Sequence, residues 1–426
     1  MNGGGRNRQQ GGNYQLSLQT VVNNNPDWEV DSRSRRRDAD LTFDYSERTE
    51  SYKISASGPV FGNNTLYGTL AKPKATLIQA IDDCLNVWQK KVVNCEDEVK
   101  LKPFLGGWDV SGVADAALLD KVWLEIAKAG KKLATNIFYG EDEGLDLIRT
   151  LLFNAIAAPR KRTRPLLITV HSDHLFAPWW MLYTVPDGGP QLDGPNAMST
   201  PEGFWGYKHL VEHQTKDRPG IRNATSVAGP LVRTGLNVDP RIDTDDGPFV
   251  AKVTTFLEKK VEPVRRERKE QLDDAFSAGT FADEITYFGC HCDISDKGYS
   301  SLRLQDGEPI TITDVDGWLP GKAQLATRPI IFINACRGGK LSSLLYESLG
   351  KTMMAKGANC VIGPQIDMPV TFGGEYAQRL FKRFLGPNRR LGNVVLALTR
   401  EFADKHRNPL GLAYSLYYGV DVYLAR

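Results

Sequence analysis

Two short stretches of this chain hold residues that could do covalent chemistry together. One is Gly289-Cys290-His291-Cys292-Asp293, and the other is Asn334-Ala335-Cys336-Arg337-Gly338-Gly339. Histidine exchanges protons near neutral pH, which suits His291 to the role of general base. Cys336 needs such a partner, because an unassisted thiol with a pKa of about 8.5 is mostly protonated at pH 7. The glycines after Cys336 permit a tight turn and leave backbone N–H groups open to steady an oxyanion. A cysteine alone at a strand end is usually packing, since Cys is among the most buried residue types. The Arg-Gly-Gly that follows Cys336, and the histidine upstream, favour a nucleophile.

Each stretch closes an apolar run. Ile285–Cys290 reads as a strand, and Pro329–Asn334 as a strand buried on both faces. In an open α/β sheet the carboxyl ends of the strands are where sites form. Around them the chain alternates. Leu302–Leu304 and Ile310–Ile312 predict a hairpin about Asp306-Gly307, Leu344–Lys356 a helix and Cys360–Gly363 a strand. Gly373–Phe384 and Asn393–His406 predict helices, and Ser415–Tyr423 a last strand. The expected fold is α/β, with a central, mostly parallel sheet flanked by helices.

Upstream, residues 1–13 are too polar to order themselves and are expected to be a disordered tail. Period-two patterns at Leu16/Leu18, Leu41/Phe43/Tyr45 and Tyr52/Ile54 predict a small β-rich segment over 14–72. A half with helices and long loops then runs over 73–248, and an alternating half, which holds both reactive stretches, over 249–426. Leu77, Ile81, Leu85 and Trp88 share one helical face; further helices fit Val113–Leu133 and Leu145–Ala158, and Leu166–Val170 is a strand. Residues 184–248 read mostly as loop, with one short helix near 204–213, and Phe249–Phe276 as a long charged helix.

The second stretch resembles the caspase signature Gln-Ala-Cys-[Arg/Gln/Gly]-Gly, which has a histidine about 50 residues upstream. Here Asn334 replaces the Gln, and His291 lies 45 residues before Cys336 (336 − 291). Four blocks, in order, are similar to the CHAT-domain branch of the caspase and separase clan. They are Leu166–Val170 with Ala177-Pro178-Trp179-Trp180-Met181-Leu182; Tyr287–His291 with Ser301–Leu304 and Ile312–Val315; Phe332–Gly339; and Gly357–Gly363 with the segment to Val420. The resemblance covers roughly 75–426. It implies a caspase-like sandwich and a cysteine endopeptidase acting through a Cys336/His291 dyad, with no cofactor or metal. The backbone N–H groups of Cys292 and Cys336 would form the oxyanion hole. The family carries Gly where Cys292 stands, and Glu where Trp180 stands. In separase-like relatives an acid after the next strand lines a pocket for a basic P1 side chain. Asp367 falls at that place, and the alternative is a loop carboxylate capping the helix near Gly373. The resemblance further implies protein substrates, control by an activating partner, and roles in defence or cell-death signalling.

Two other readings stand beside it. The first is an inert caspase-like scaffold that binds partners. The second is a zinc peptidase, because His209-Leu210-Val211-Glu212-His213 matches H-x-x-E-H. A surface helix carrying two histidines is the plainer account of that motif. His171 and His174, beside the tryptophan pair, could bind substrate or serve a loop. Trp179 and Trp180 are expected in the core.

Composition narrows the class. Of 426 residues 41% are hydrophobic, enough for a sizeable core, and the net charge of +2 does not call for nucleic acid. No apolar run approaches the ~18 residues of a membrane span, and the N-terminus has no signal-peptide core. A cytoplasmic protein with reduced thiols is expected, with no membrane partner.

Overall fold

The computed structural model describes residues 34–95, 107–112, 116–159, 164–216, 223–243, 247–294, 300–335 and 346–425. The expected tail over 1–13, the Leu16/Leu18 pattern and Cys336 lie outside the described residues.

The chain opens with strands β1 (Ala39–Ser46), β2 (Ser51–Ser57) and β3 (Leu66–Leu70), then helices α1 (Lys74–Trp88), α2 (Ala116–Phe138) and α3 (Glu143–Ala157). Next come β4 (Leu167–His171), the single turn α4 (Trp205–Lys208), β5 (Leu210–Gln214), β6 (Ala224–Ser226) and β7 (Arg233–Val238). Then follow α5 (Phe249–Glu258), β8 (Glu262–Arg266), α6 (Lys269–Ser277) and β9 (Ile285–Gly289). β10 (His291–Ile294), β11 (Ser300–Arg303) and β12 (Pro309–Ile310) precede α7 (Ile312–Trp318) and β13 (Ile330–Ile333). The chain closes with α8 (Lys351–Ala355), β14 (Cys360–Pro364), α9 (Val370–Phe384), α10 (Leu391–His406), β15 (Tyr414–Tyr417) and β16 (Tyr423–Ala425).

Eleven strands form one sheet, in the order β3-β2-β1-β4-β5-β15-β14-β13-β9-β7-β8. It is an α/β fold with a mostly parallel sheet and a strand-rich N-terminus. The N-terminal strands continue this sheet, because β1 pairs in parallel with β4. The sheet has two parallel halves of opposite direction. β1, β4, β5 and β15 run one way, and β14, β13, β9, β7 and β8 the other, meeting at the antiparallel pair β14/β15. The carboxyl ends of β4 and β5 therefore lie at the opposite edge from those of β9 and β13.

Both faces are covered, so the inner strands are apolar on both sides. On one face Ile330 and Phe332 of β13 pack with Tyr287, Phe372, Tyr376 and Phe381. On the other, Ile331 and Ile333 pack with Phe288, Leu272, Val315 and Met354. Trp179 and Trp180 are core residues, as expected.

Four sequence expectations fail here. The span 204–213 is not a helix: α4 is one turn, and β5 is a fully buried strand of the sheet. Residues 184–248 also hold β7, another inner strand, whose Gly235 and Asn237 disguise the pattern. Phe249–Phe276 is broken by β8, an edge strand; Pro263 cannot stay in a helix interior but is tolerated at an edge. The last strand stops at Tyr417, and β16 pairs instead with β6. No helix among the described residues is long and apolar enough to cross a membrane.

Candidate active site

β9 and β13 are parallel neighbours in register, with Ile333 opposite Phe288, and the Asn334 N–H donates to the Phe288 carbonyl at 2.8 Å. The two stretches singled out in the sequence therefore leave the sheet side by side. Adjacent strands lie about 4.8 Å apart. Cys336 itself is outside the described residues; Ala335, bonded to it, is buried.

Asn334 anchors the end of β13. Its amide nitrogen donates to Tyr287 Oη at 3.2 Å and to the Gly373 carbonyl at 3.1 Å, while Tyr414 Oη donates to its carbonyl oxygen at 2.8 Å. It is thus tied to β9, α9 and β15 at once. A Cβ on Gly373 would stand 3.0 Å from Asn334 Oδ1, a tight contact that Asn334 would have to yield to.

His291 begins β10, the first strand of a three-stranded antiparallel sheet with β11 and β12. Alternation in β10 turns Cys292 into the core beside Leu302 and leaves the His291 side chain 30% exposed. Cys290 is buried as well. The expected hairpin about Asp306-Gly307 forms, but its second strand is only Pro309–Ile310, and Ile312 begins α7.

A carboxylate that the sequence reading missed stands behind the imidazole. Asp239 Oδ2 lies 3.6 Å from His291 Nε2, and the Asp239 side chain is wholly buried. Asp239 follows β7, and its N–H donates to the Gly289 carbonyl at 2.9 Å, which ties the ends of β7 and β9 together. Arg241 clamps it, donating from its backbone N–H and Nε to Oδ1 (3.0 and 2.9 Å) and from Nη2 to Oδ2 (2.8 Å). The same guanidinium reaches the Leu304 carbonyl at 3.3 Å. Burial pulls the Asp239 carboxyl upward, but the Arg241 hydrogen bonds outweigh it and hold the group below its usual range. An ionised, fixed carboxylate beside a ring nitrogen can orient the ring and balance the charge of an imidazolium. The available sequence signal was Val238-Asp239-Pro240, a strand end followed by a proline that starts a short turn.

Asp367 follows β14, the neighbour of β13, at the same edge of the sheet. It is half-buried, and its N–H donates to Gln89 Oε1 at 3.2 Å. The N-cap position of α9 is Pro369.

The H-x-x-E-H stretch is extended, which removes the geometric basis of a zinc site. Four residues span about 13 Å along a strand, against about 6 Å along a helix. Its groups are committed elsewhere. His213 Nδ1 accepts from Trp179 Nε1 at 3.1 Å, and its Nε2 lies 2.9 Å from the Ser172 carbonyl. His209 Nδ1 accepts from the Leu166 N–H at 3.1 Å. Glu212 takes Arg37 at 2.7 Å, Thr169 at 2.9 Å and the Val420 N–H at 3.0 Å. Burial drives both imidazoles down to about 3, so they stay neutral. His171, which pairs with Asp40 at 2.9 Å, stands at the end of β4, across the sheet from His291, and His174 follows it on the same side.

No family model matches the chain, and no curated protein matches it. Among solved structures it is similar to Saccharomyces cerevisiae separase in two separase–securin complexes. The TM-scores are 0.44 and 0.43, each at 10% identity, covering 89% of this chain and 30% of that chain. It is also similar to the complex of Porphyromonas gingivalis RgpB pro- and mature domains, with TM-score 0.35 and 11% identity, covering 70% of this chain and 69% of that chain. The chain thus spans less than a third of the length of the separase chains it matches.

Proposed function

We propose that this protein is a cysteine endopeptidase of the caspase-like kind, with Cys336 as nucleophile and His291 as base. One observation carries the reading: the strands that deliver these residues are parallel neighbours in register, and both end at the same sheet edge. His291 turns Nε2 toward Asp239, which leaves Nδ1 for the thiol proton. The Cys336 thiolate attacks the scissile carbonyl carbon, and the oxyanion is held by backbone N–H groups of Cys336 and Cys292. The C–N bond breaks as His291 protonates the departing amine. Water, deprotonated by the same imidazole, then hydrolyses the thioester and restores the thiol. Asp239, held by Arg241, keeps the ring oriented through both steps.

Asp367 belongs to this reading as the carboxylate selecting a basic P1 side chain. It stands at the edge where β14 ends. Proteolysis of protein substrates under control of an activating partner, in defence or cell-death signalling as in the CHAT branch, is the wider role proposed.

The test compares wild type with Cys336→Ala and Asp367→Asn in a whole-cell lysate, mapping new protein N-termini by mass spectrometry. Termini that need Cys336 and follow Arg or Lys, with that preference lost in Asp367→Asn, are expected. Identical termini from wild type and Cys336→Ala, with the activating partner present in the lysate, would overturn the protease and favour an inert scaffold.

A further inference from the structure

Away from the candidate site, the surface of α9 and α10 carries a charge pattern that the net charge of the chain conceals. A groove of about 740 Å³ runs between these helices, lined by Arg379, Lys382, Arg383, Arg389 and Arg390. A second hollow, of about 600 Å³, is lined by Arg35, Arg36, Arg164 and Arg400. Asn393 and Ala397 line both, so the two form one continuous surface. Nine cationic side chains thus face it, against two lining carboxylates, Glu375 and Glu401. The whole chain is only +2, so the basic groove is a segregation of charge and not a basic protein.

The cations are held by acids placed beneath them. Glu375 and Glu401 are 8% and 15% exposed, and Arg379 pairs with both, while Arg383 pairs with Glu401. The buried Asp421 holds Arg35 at 2.5 Å and Arg390 at 3.5 Å, and Asp38 holds Arg164 at 2.7 Å. Ordering long side chains is the usual entropic cost of an exposed ion pair. Here much of that cost is met within the protein before any ligand arrives. Lys382, Arg389 and Arg36 complete the rim as exposed cations.

We infer that this groove docks an extended, acidic segment of a partner protein. Guanidinium forks match carboxylates in bidentate geometry, and the amides of Gln378, Asn388 and Asn393 stand among them to meet a peptide backbone. Among the described residues no aromatic side chain lines either half, which disfavours a single-stranded nucleic acid that needs a platform for its bases. The groove begins close to the candidate site: Glu375 follows Gly373, whose carbonyl Asn334 holds, by two residues. Lys382 lies nine residues on, about 13 Å along the helix. A docked segment is therefore positioned to present its neighbouring residues to the edge where β13 and β14 end.

The docking claim does not depend on the chemistry at Cys336, and it is tested in the full chain carrying Cys336→Ala. The probe is a fluorescein-labelled decapeptide alternating Glu and Asp with Gly and Ser, followed by anisotropy at low and moderate salt. The double variant Lys382→Glu/Arg389→Glu is expected to weaken binding at least tenfold, about 1.4 kcal/mol. The control Lys53→Glu/Lys322→Glu, with the same charge change at exposed positions elsewhere, should shift it less than twofold. Arg36→Glu, in the second hollow, should weaken binding as well. Equal losses in the groove and control variants, no saturable binding at low salt, or tighter binding of a twenty-residue oligothymidylate than of the peptide would each overturn the proposal.

Discussion

The H-x-x-E-H stretch can be tested through its protons. His213 and His209 are both pushed down to about 3 by burial. Like charges add to this for each, His171 and Lys351 near His213 and Lys208 and Arg400 near His209, while the Ser172 carbonyl beside His213 and the Ile156 carbonyl and Asp38 beside His209 oppose it. In the unfolded chain both return to about 6.5. Below that pH the unfolded state takes up two protons that the native state refuses. Stability from these groups is therefore complete above about pH 6.5 and is lost progressively as pH falls toward 3. Between pH 7 and pH 5 the linkage relation gives about 2 kcal/mol for each imidazole, and about 4 kcal/mol for the pair. The assay is urea unfolding followed by tryptophan fluorescence, at both pH values, in the Cys336→Ala background. His213→Gln keeps an acceptor for Trp179 Nε1 and a donor for the Ser172 carbonyl, but it does not titrate. Its loss between pH 7 and pH 5 should be smaller than that of the parent by about 2 kcal/mol. An unchanged loss would refute the assignment of a buried neutral His213. A chelator that lowers the parent's midpoint but not that of His213→Gln would restore the metal reading.

Asp239→Asn keeps the shape but removes the charge behind His291. Turnover of a fluorogenic peptide should fall on the order of 10²-fold, through kcat more than KM, and the pH–rate profile should move; a shift in the urea midpoint with an unmoved profile would assign Asp239 a structural role alone. Asn334→Gln restores the residue of the caspase signature, yet it should destabilise, because one extra methylene has no room beside Gly373 and Tyr414. A loss of about 1–3 kcal/mol in the urea midpoint is expected, and a gain would show that the pocket adapts.

Much of the fold was legible because its inner strands are plainly written. Ile330–Ile333 and Cys360–Pro364 are short apolar runs bounded by turn residues, and they are buried strands. Apolar periodicity put Leu77, Ile81, Leu85 and Trp88 on one face of α1 and placed α3, α9 and α10 within a few residues. β5 was illegible because Glu212, His213 and Gln214 put polar groups where a buried strand is expected to be apolar. Each is buried and hydrogen-bonded, Glu212 through Arg37, which also binds Asp421 at 2.6 Å. A one-dimensional pattern cannot reveal such compensation, since Arg37 and Asp421 lie at opposite ends of the chain. β7 was hidden for a related reason. A Cβ on Gly235 would stand 1.9 Å from Asp283 Oδ2, so glycine is required there by the Arg266–Asp283 pair that covers it.

The candidate site divides along the same line. His291 and Cys336 were visible because chemistry fixes their residue types and their 45-residue separation fits the caspase signature. Asp239 lies 52 residues before His291 (291 − 239), in a stretch that reads as loop, and only the parallel pairing of β7 with β9 brings it behind the imidazole. The direction of the strands decides the remaining candidates. Because the sheet reverses at the β14/β15 seam, a histidine ending β4 and a histidine following β9 cannot share a site, however similar their sequence settings. The reversal sets His171 on the far edge, and it gathers Asp239, His291, Asn334 and Asp367 on the near one. Residue types alone gave two histidine-bearing strand ends, and the topology leaves one of them beside the strand that leads to Cys336.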